Sequence, residues 1–118
     1  MKKILLIEDD PLLLDIYTTK LKQEGFEVVV ATDGDKALDI VKKENPDLVL
    51  LDIVLPNKDG WEILKKIKQE KKSSKVIILS NLGQKEEVEK GIQLGAEKYL
   101  IKANFTPSQV VEEIKKVI

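Results

Sequence analysis

At 118 residues the chain has the length of one ordinary domain, about 100 to 150 residues, so residues 1–118 are expected to form a single unit, with any output module on another chain. Twenty lysines oppose twenty-one acids for a formal charge of -1, which gives no bulk attraction to nucleic acid or to an anionic membrane. Without Arg, His or Cys there are no bidentate phosphate forks, no imidazole base of the Ser-His-Asp kind, no disulfides and no thiolate nucleophiles or zinc clusters.

The chain opens with MKKILLIEDD, in which only four apolar residues separate the lysines from the acids. That run is too short for a signal-peptide core, and no later stretch approaches a membrane span, so a soluble cytoplasmic protein is expected. KILLIE reads as the first strand and ends in Glu8 and Asp9. Asp10 follows, and three adjacent acids repel one another, so a positive partner is expected. Asp10 itself precedes Pro11, which disfavours helical geometry there and makes it an N-cap for a helix over residues 11 to 23. Gly25 closes that helix.

FEVVVA is the second strand and ends blandly in Ala31 and Thr32. TDGDKAL lacks glycine clustering and a Lys-Ser/Thr pair, so it is a helix-start turn before a helix over 35 to 44 rather than a phosphate loop. DLVLLD, the third strand, ends in Asp52, and a helix over 60 to 70 begins beside Trp61, read as partial core. KQEKKSSK, residues 68 to 75, is the densest basic run but has no interleaved aromatics, which marks a solvated loop. KVIILS ends in Ser80 and leads to a helix over 85 to 94 closed by Gly95. KYLIK ends in Lys102, and Thr106 with Pro107 reads as an N-cap and first helical residue for 107 to 117, where Val110, Val111, Ile114, Val117 and Ile118 recur at helical spacing.

Five continuous apolar strands alternating with five amphipathic helices predict a three-layer α/β domain, flavodoxin-like, with a five-stranded parallel sheet in the order 2-1-3-4-5. Ligands bind such sheets outside the carboxyl ends of the strands. Four of those ends supply Glu8, Asp9, Asp52, Ser80 and Lys102, a convergence of three carboxylates, a hydroxyl and an ammonium.

An acidic pair after the first strand, LLDIVLPNKDG with Asp52, Pro56 and Gly60, VIILS with Ser80, and YLIK with Tyr99 and Lys102 together make the chain resemble a bacterial response-regulator receiver domain of stand-alone, chemotaxis-regulator-like architecture over its whole length. The resemblance implies that Asp52 accepts a phosphoryl group from a phosphohistidine on a sensor histidine kinase or phosphotransfer protein. It implies Mg²⁺ held by Glu8, Asp9, Asp52 and the backbone carbonyl of Val54, and phosphoryl oxygens held by Ser80 and Lys102. Tyr99 would be the switch aromatic, turning inward to remodel the face of the fourth helix, fifth strand and fifth helix for an output protein. Val54 and Leu82 would flank the path of the hydrolytic water, where their apolar side chains predict slow self-dephosphorylation. Lys85, Lys90 and Glu97 offer opposite charges on the signalling face for an activation-dependent homodimer.

Two features depart from the receiver pattern. Ala103 stands where a cis proline is common, and a cis bond there would cost about 3–4 kcal/mol, so the stretch either bears that strain or takes another path. Asn81 follows Ser80 where many receivers carry something smaller, which would narrow access for a donor. A phosphatase of the haloacid-dehalogenase type also uses Asp, Mg²⁺, Ser or Thr and Lys. Its Asp-x-Asp follows the first strand, however, whereas Ile53 and Val54 follow Asp52 on the third. An interaction module of the same fold without phosphorylation, or a flavin carrier, is the remaining class; the acids after the first strand disfavour a phosphate-bearing flavin.

Overall fold

The computed structural model describes residues 1–56, 58–70 and 74–118, Lys58 by its backbone alone. Residues 71–73 of the basic run therefore lie outside the described residues, as does Asn57. In chain order the elements begin with β1 (Lys3–Ile7), α1 (Pro11–Gln23), β2 (Glu27–Ala31), α2 (Gly34–Glu44) and β3 (Leu48–Leu51). A short ribbon of β4 (Val54–Leu55) and β5 (Lys58–Asp59) precedes α3 (Gly60–Glu70) and β6 (Lys75–Ser80). The chain then runs through α4 (Lys85–Gln93), β7 (Lys98–Ile101), a 3₁₀ turn (Lys102–Asn104) and α5 (Pro107–Val117).

The main sheet is parallel, in the order β2-β1-β3-β6-β7. Its five strands, counted alone, run 2-1-3-4-5 as expected. The antiparallel ribbon β4-β5, with Val54 opposite Asp59, is a separate two-stranded sheet that the sequence reading did not anticipate.

Alternation of side chains across the pleat explains the continuous apolar strands. Ile4, Leu6, Leu48, Leu50, Ile77 and Leu79 face one core with Tyr17 and Leu21 of α1 and Val110, Val111 and Ile114 of α5. Leu5, Ile7, Val49, Leu51, Val76 and Ile78 face the other, with Ala37 and Val41 of α2 and Ile63, Leu64 and Ile67 of α3. Full burial of each such aliphatic side chain stabilises by about 1.5–3 kcal/mol, whereas an exposed ion pair adds about 0–1, so these two layers dominate the fold.

The helix ends follow local chemistry. Asp10 caps α1 by accepting from the Leu12 N–H at 2.9 Å, and Thr106 caps α5 by accepting from the Gln109 N–H at 3.2 Å. Gly25 and Gly95 leave their helices at φ 89° and 109°. After β7 the chain turns through the 3₁₀ segment, and the described residues contain no cis peptide bond, so the Lys102–Ala103 stretch takes the other path. Among the described residues no helix is long and apolar enough to cross a membrane.

Candidate functional site

The sheet ladder continues one residue past two of the strands and fixes the acids there. The Glu8 N–H donates to the Ala31 carbonyl at 3.2 Å, and the Asp52 N–H donates to the Ile7 carbonyl at 3.0 Å. Both residues are almost fully buried, at 2 % and 6 % exposure. Burying an uncompensated carboxylate costs several kcal/mol, so each needs partners. Lys102 supplies them: its Nζ lies 2.6 Å from Glu8 Oε1 and 2.7 Å from Asp52 Oδ2. The opposite oxygens are used as well. Glu8 Oε2 accepts from the Asp9 N–H at 3.0 Å, and Asp52 Oδ1 accepts from the Val54 N–H at 3.0 Å.

Electrostatics follow from this packing. Burial pushes the Glu8 carboxyl above its usual range; the Lys102 hydrogen bond opposes that rise and the Asp52 charge adds to it. For Lys102, burial works against the charge, yet the hydrogen bonds to Asp52 and Glu8 outweigh it and hold the ammonium above the ordinary lysine range. The positive partner that the acid run called for is thus, in part, a residue of the chain itself.

One carboxylate oxygen from each of Glu8, Asp9 and Asp52 lies within 4.8 Å of the other two. Three hard oxygen donors at this separation, one of them on an exposed side chain, suit a small divalent cation such as Mg²⁺. They open into a cavity of about 310 Å³ shared with Asp10, Lys102, Val54 and Asn81. Asn81 does line the approach to Asp52, and Val54 is exposed at its rim.

Three residues expected at the site stand apart from the cavity lining. Ser80 is fully buried, and its Oγ accepts from the Leu82 N–H at 3.3 Å. Leu82 packs toward the core of the α2–α3 face. Tyr99 is half-buried, and its hydroxyl donates to the Leu82 carbonyl at 2.5 Å; burial, and secondarily Glu87, raise its pKa. One contact had no signature in the sequence: Lys90 of α4 lies over the Trp61 ring of α3, 4.6 Å from its centroid. These residues are distant in the chain, and no local periodicity pairs them.

The profile of the response regulator receiver domain matches residues 4–115. The alkaline phosphatase synthesis transcriptional regulatory protein PhoP of Bacillus subtilis (strain 168) is 32 % identical over 117 residues, which are 99 % of this chain and 48 % of that protein. The chain thus spans about half the length of the curated relatives it matches. Among solved structures, the CheY-like response regulator receiver domain protein of Methanospirillum hungatei JF-1 superposes with a TM-score of 0.92 at 31 % identity, covering 98 % of this chain and 92 % of that one. The CheX-CheY-BeF3-Mg+2 complex of Borrelia burgdorferi gives 0.91 at 28 % identity, covering 98 % and 88 %.

Proposed function

Because the chain belongs to the response regulator receiver domain family, we propose that it is a phosphorylation-controlled switch in which Asp52 takes a phosphoryl group from a phosphohistidine of a sensor kinase or phosphotransfer protein. The observation that carries this reading is the Asp52 carboxylate at the cavity, paired with Lys102 at 2.7 Å and within 4.8 Å of oxygens from Glu8 and Asp9. In the transfer a carboxylate oxygen of Asp52 forms the new bond to phosphorus. The phosphorus–nitrogen bond breaks, and its electron pair leaves with the imidazole.

Glu8, Asp9, Asp52 and the Val54 carbonyl would hold Mg²⁺, which supplies neutralisation of the charge on the transferring group. The Borrelia neighbour, named for a complex with BeF3 and Mg+2, supports that choice of ion. Lys102 would release Asp52 Oδ2 and donate charge-assisted hydrogen bonds to the phosphoryl oxygens. Ser80 would turn its hydroxyl toward the same group, and Tyr99 would follow, reshaping the face of α4, β7 and α5 that an output protein reads. The added charge, about -1.5 to -2, is large enough to bias such a two-state element.

On this reading residues 1–118 act as one receiver unit in a cytoplasmic setting, the chain's own chemistry being limited to self-phosphorylation from a donor and slow loss of the group to water. Activation-dependent pairing of two copies through α4, β7 and α5 extends the proposal. Intact mass after incubation with acetyl phosphate and Mg²⁺ tests its centre: one phosphoryl increment is expected, and none for Asp52→Asn. No increment on the natural chain, or the same increment on both, overturns it. Continuous release of phosphate from monoesters would favour the phosphatase reading instead.

A further inference from the structure

Two fastenings tie Trp61 to the loop that follows Asp52. The first is Gly60: a Cβ there would lie 2.2 Å from the Ile53 carbonyl oxygen and 2.5 Å from the Ile53 Cα, so the start of α3 rests directly on the backbone of the residue next to Asp52. The second is Asp59, which pairs with Val54 across the β4-β5 ribbon and accepts from the Trp61 N–H at 3.0 Å through Oδ1. A shift of the Ile53–Val54 backbone therefore carries Trp61 with it.

The ring of Trp61 meets α4. Lys90 Nζ lies 4.6 Å from its centroid, inside the range of a cation–π contact, and among the described residues Lys90 forms no ion pair with a carboxylate. The next residue of α4, Gly91, packs closely on β6 and β7: a Cβ there would stand 2.6 Å from Ile78 Cδ1 and 2.8 Å from Tyr99 Cδ2. Successive residues in the middle of α4 thus meet Trp61 and the Tyr99 ring. All of this coexists with the arrangement in which Lys102 bridges Glu8 and Asp52.

We propose that the Trp61–Lys90 contact is a second mechanical link from the Asp52 loop to α4, independent of Ser80 and Tyr99, and that it holds α4 in the Lys102-bridged arrangement. The inference rests on the phosphoacceptor reading above. Phosphorylation releases Lys102 from Asp52, shifts the loop and with it Trp61, and frees Lys90 and α4 together. By reciprocity, breaking the contact favours the phosphorylated arrangement.

The test uses the full chain, with beryllium fluoride and Mg²⁺ as the phosphoryl mimic, and compares Lys90→Met, Trp61→Phe and the double variant by calorimetry. Met keeps the aliphatic stem and Phe keeps a ring, so packing is retained. Lys90→Met, which removes the cation, is expected to bind the mimic about two- to fivefold more tightly, the factor a surface cation–π contact supports; Trp61→Phe, whose ring keeps a weaker face for the ammonium, gains less, and the double variant binds no more tightly than Lys90→Met. Unchanged or weaker binding in Lys90→Met, or additive effects, overturns the link; a lowered melting temperature without an affinity change marks a purely structural contact and overturns it too. Because Trp61 is the sole tryptophan, its emission in Lys90→Met without mimic must differ from that of the natural chain, or the contact is absent and the inference fails. A natural chain that binds no mimic overturns the phosphoacceptor reading itself and this inference with it.

Discussion

Among the described residues, Glu8, Asp9 and Asp52 outnumber the one ammonium, that of Lys102, which pairs with Glu8 and Asp52, so the cluster keeps a net negative charge. Asp52→Asn should therefore stabilise the metal-free protein by about 1 kcal/mol, a shift of several degrees in melting temperature. Mg²⁺ at ten times its dissociation constant should stabilise the natural chain by about 1.4 kcal/mol and the variant by much less. Thermal unfolding with and without Mg²⁺ checks both, and equal Mg²⁺ shifts would remove these acids from the metal site. Val54 and Leu82 divide the hydrolytic question between them. Val54 lines the cavity, whereas Leu82 packs inward, so Val54→Asn should account for most of the acceleration of phosphoryl loss, and Val54→Asn with Leu82→Glu for about tenfold or more. Release of phosphate after removal of the donor gives the rates, and an unchanged rate in the double variant defeats the water-exclusion argument. The acids and Lys102 were legible because each follows an apolar strand, and strand ends converge in this topology. What Lys102 binds was not legible: its two carboxylate partners depend on the 3₁₀ turn after β7, whose course no local periodicity sets.

At the scale of elements, the five helices fall within a residue of the ranges read from apolar spacing and from Asp10, Gly25, Gly95 and Thr106, because those signals are local. The β4-β5 ribbon escaped, since strands of two residues carry no periodicity and Pro56 lies between them. Ion pairs between elements were equally hidden. Lys98 of β7 reaches Glu113 of α5 at 2.8 Å, and Lys116 reaches the same carboxylate at 2.9 Å. The hydrogen bonds from Lys98 and Lys116 hold the Glu113 carboxyl below its ordinary value of 4.5. A depressed folded-state pKa adds stability above the unfolded value, and that stability is lost as pH falls through the folded one. The natural chain should thus lose stability below pH 4.5 more steeply than Glu113→Gln. Melting temperatures across that range decide it, and parallel curves would mean that the pair is not felt in solution.

For the whole molecule, the charges on the proposed signalling face are already engaged within one copy. Lys85 lies 4.0 Å from Glu89, Glu97 lies 3.9 Å from Lys68, and Lys90 sits on Trp61. A homodimer through α4, β7 and α5 must exchange these contacts for new ones, so the unmodified chain should remain monomeric. Light scattering is expected to show a doubled mass only with the phosphoryl mimic bound, and an unchanged mass at full occupancy would reject activation-driven pairing. Two-sided burial of β1, β3 and β6 makes the sheet the rigid partner in any such exchange, leaving rearrangement to the helices and loops at its edge.

The ion pair between Glu8 and Lys102 joins residues 94 positions apart in the chain, and that between Asp52 and Lys102 joins residues 50 apart. Closing loops of that length comes late, because contacts distant in sequence cannot form until the intervening strands have found their places. A chain that has docked β1 and β3 but not β7 carries its buried acids without their ammonium. In refolding, the capacity to be labelled by acetyl phosphate should then appear with the slowest phase of structure formation, after most of the secondary structure has returned. On the proposed phosphoacceptor reading, competence to receive a signal would in this way be tied to completion of the fold, and a copy stalled before β7 docks would stay silent toward its donor.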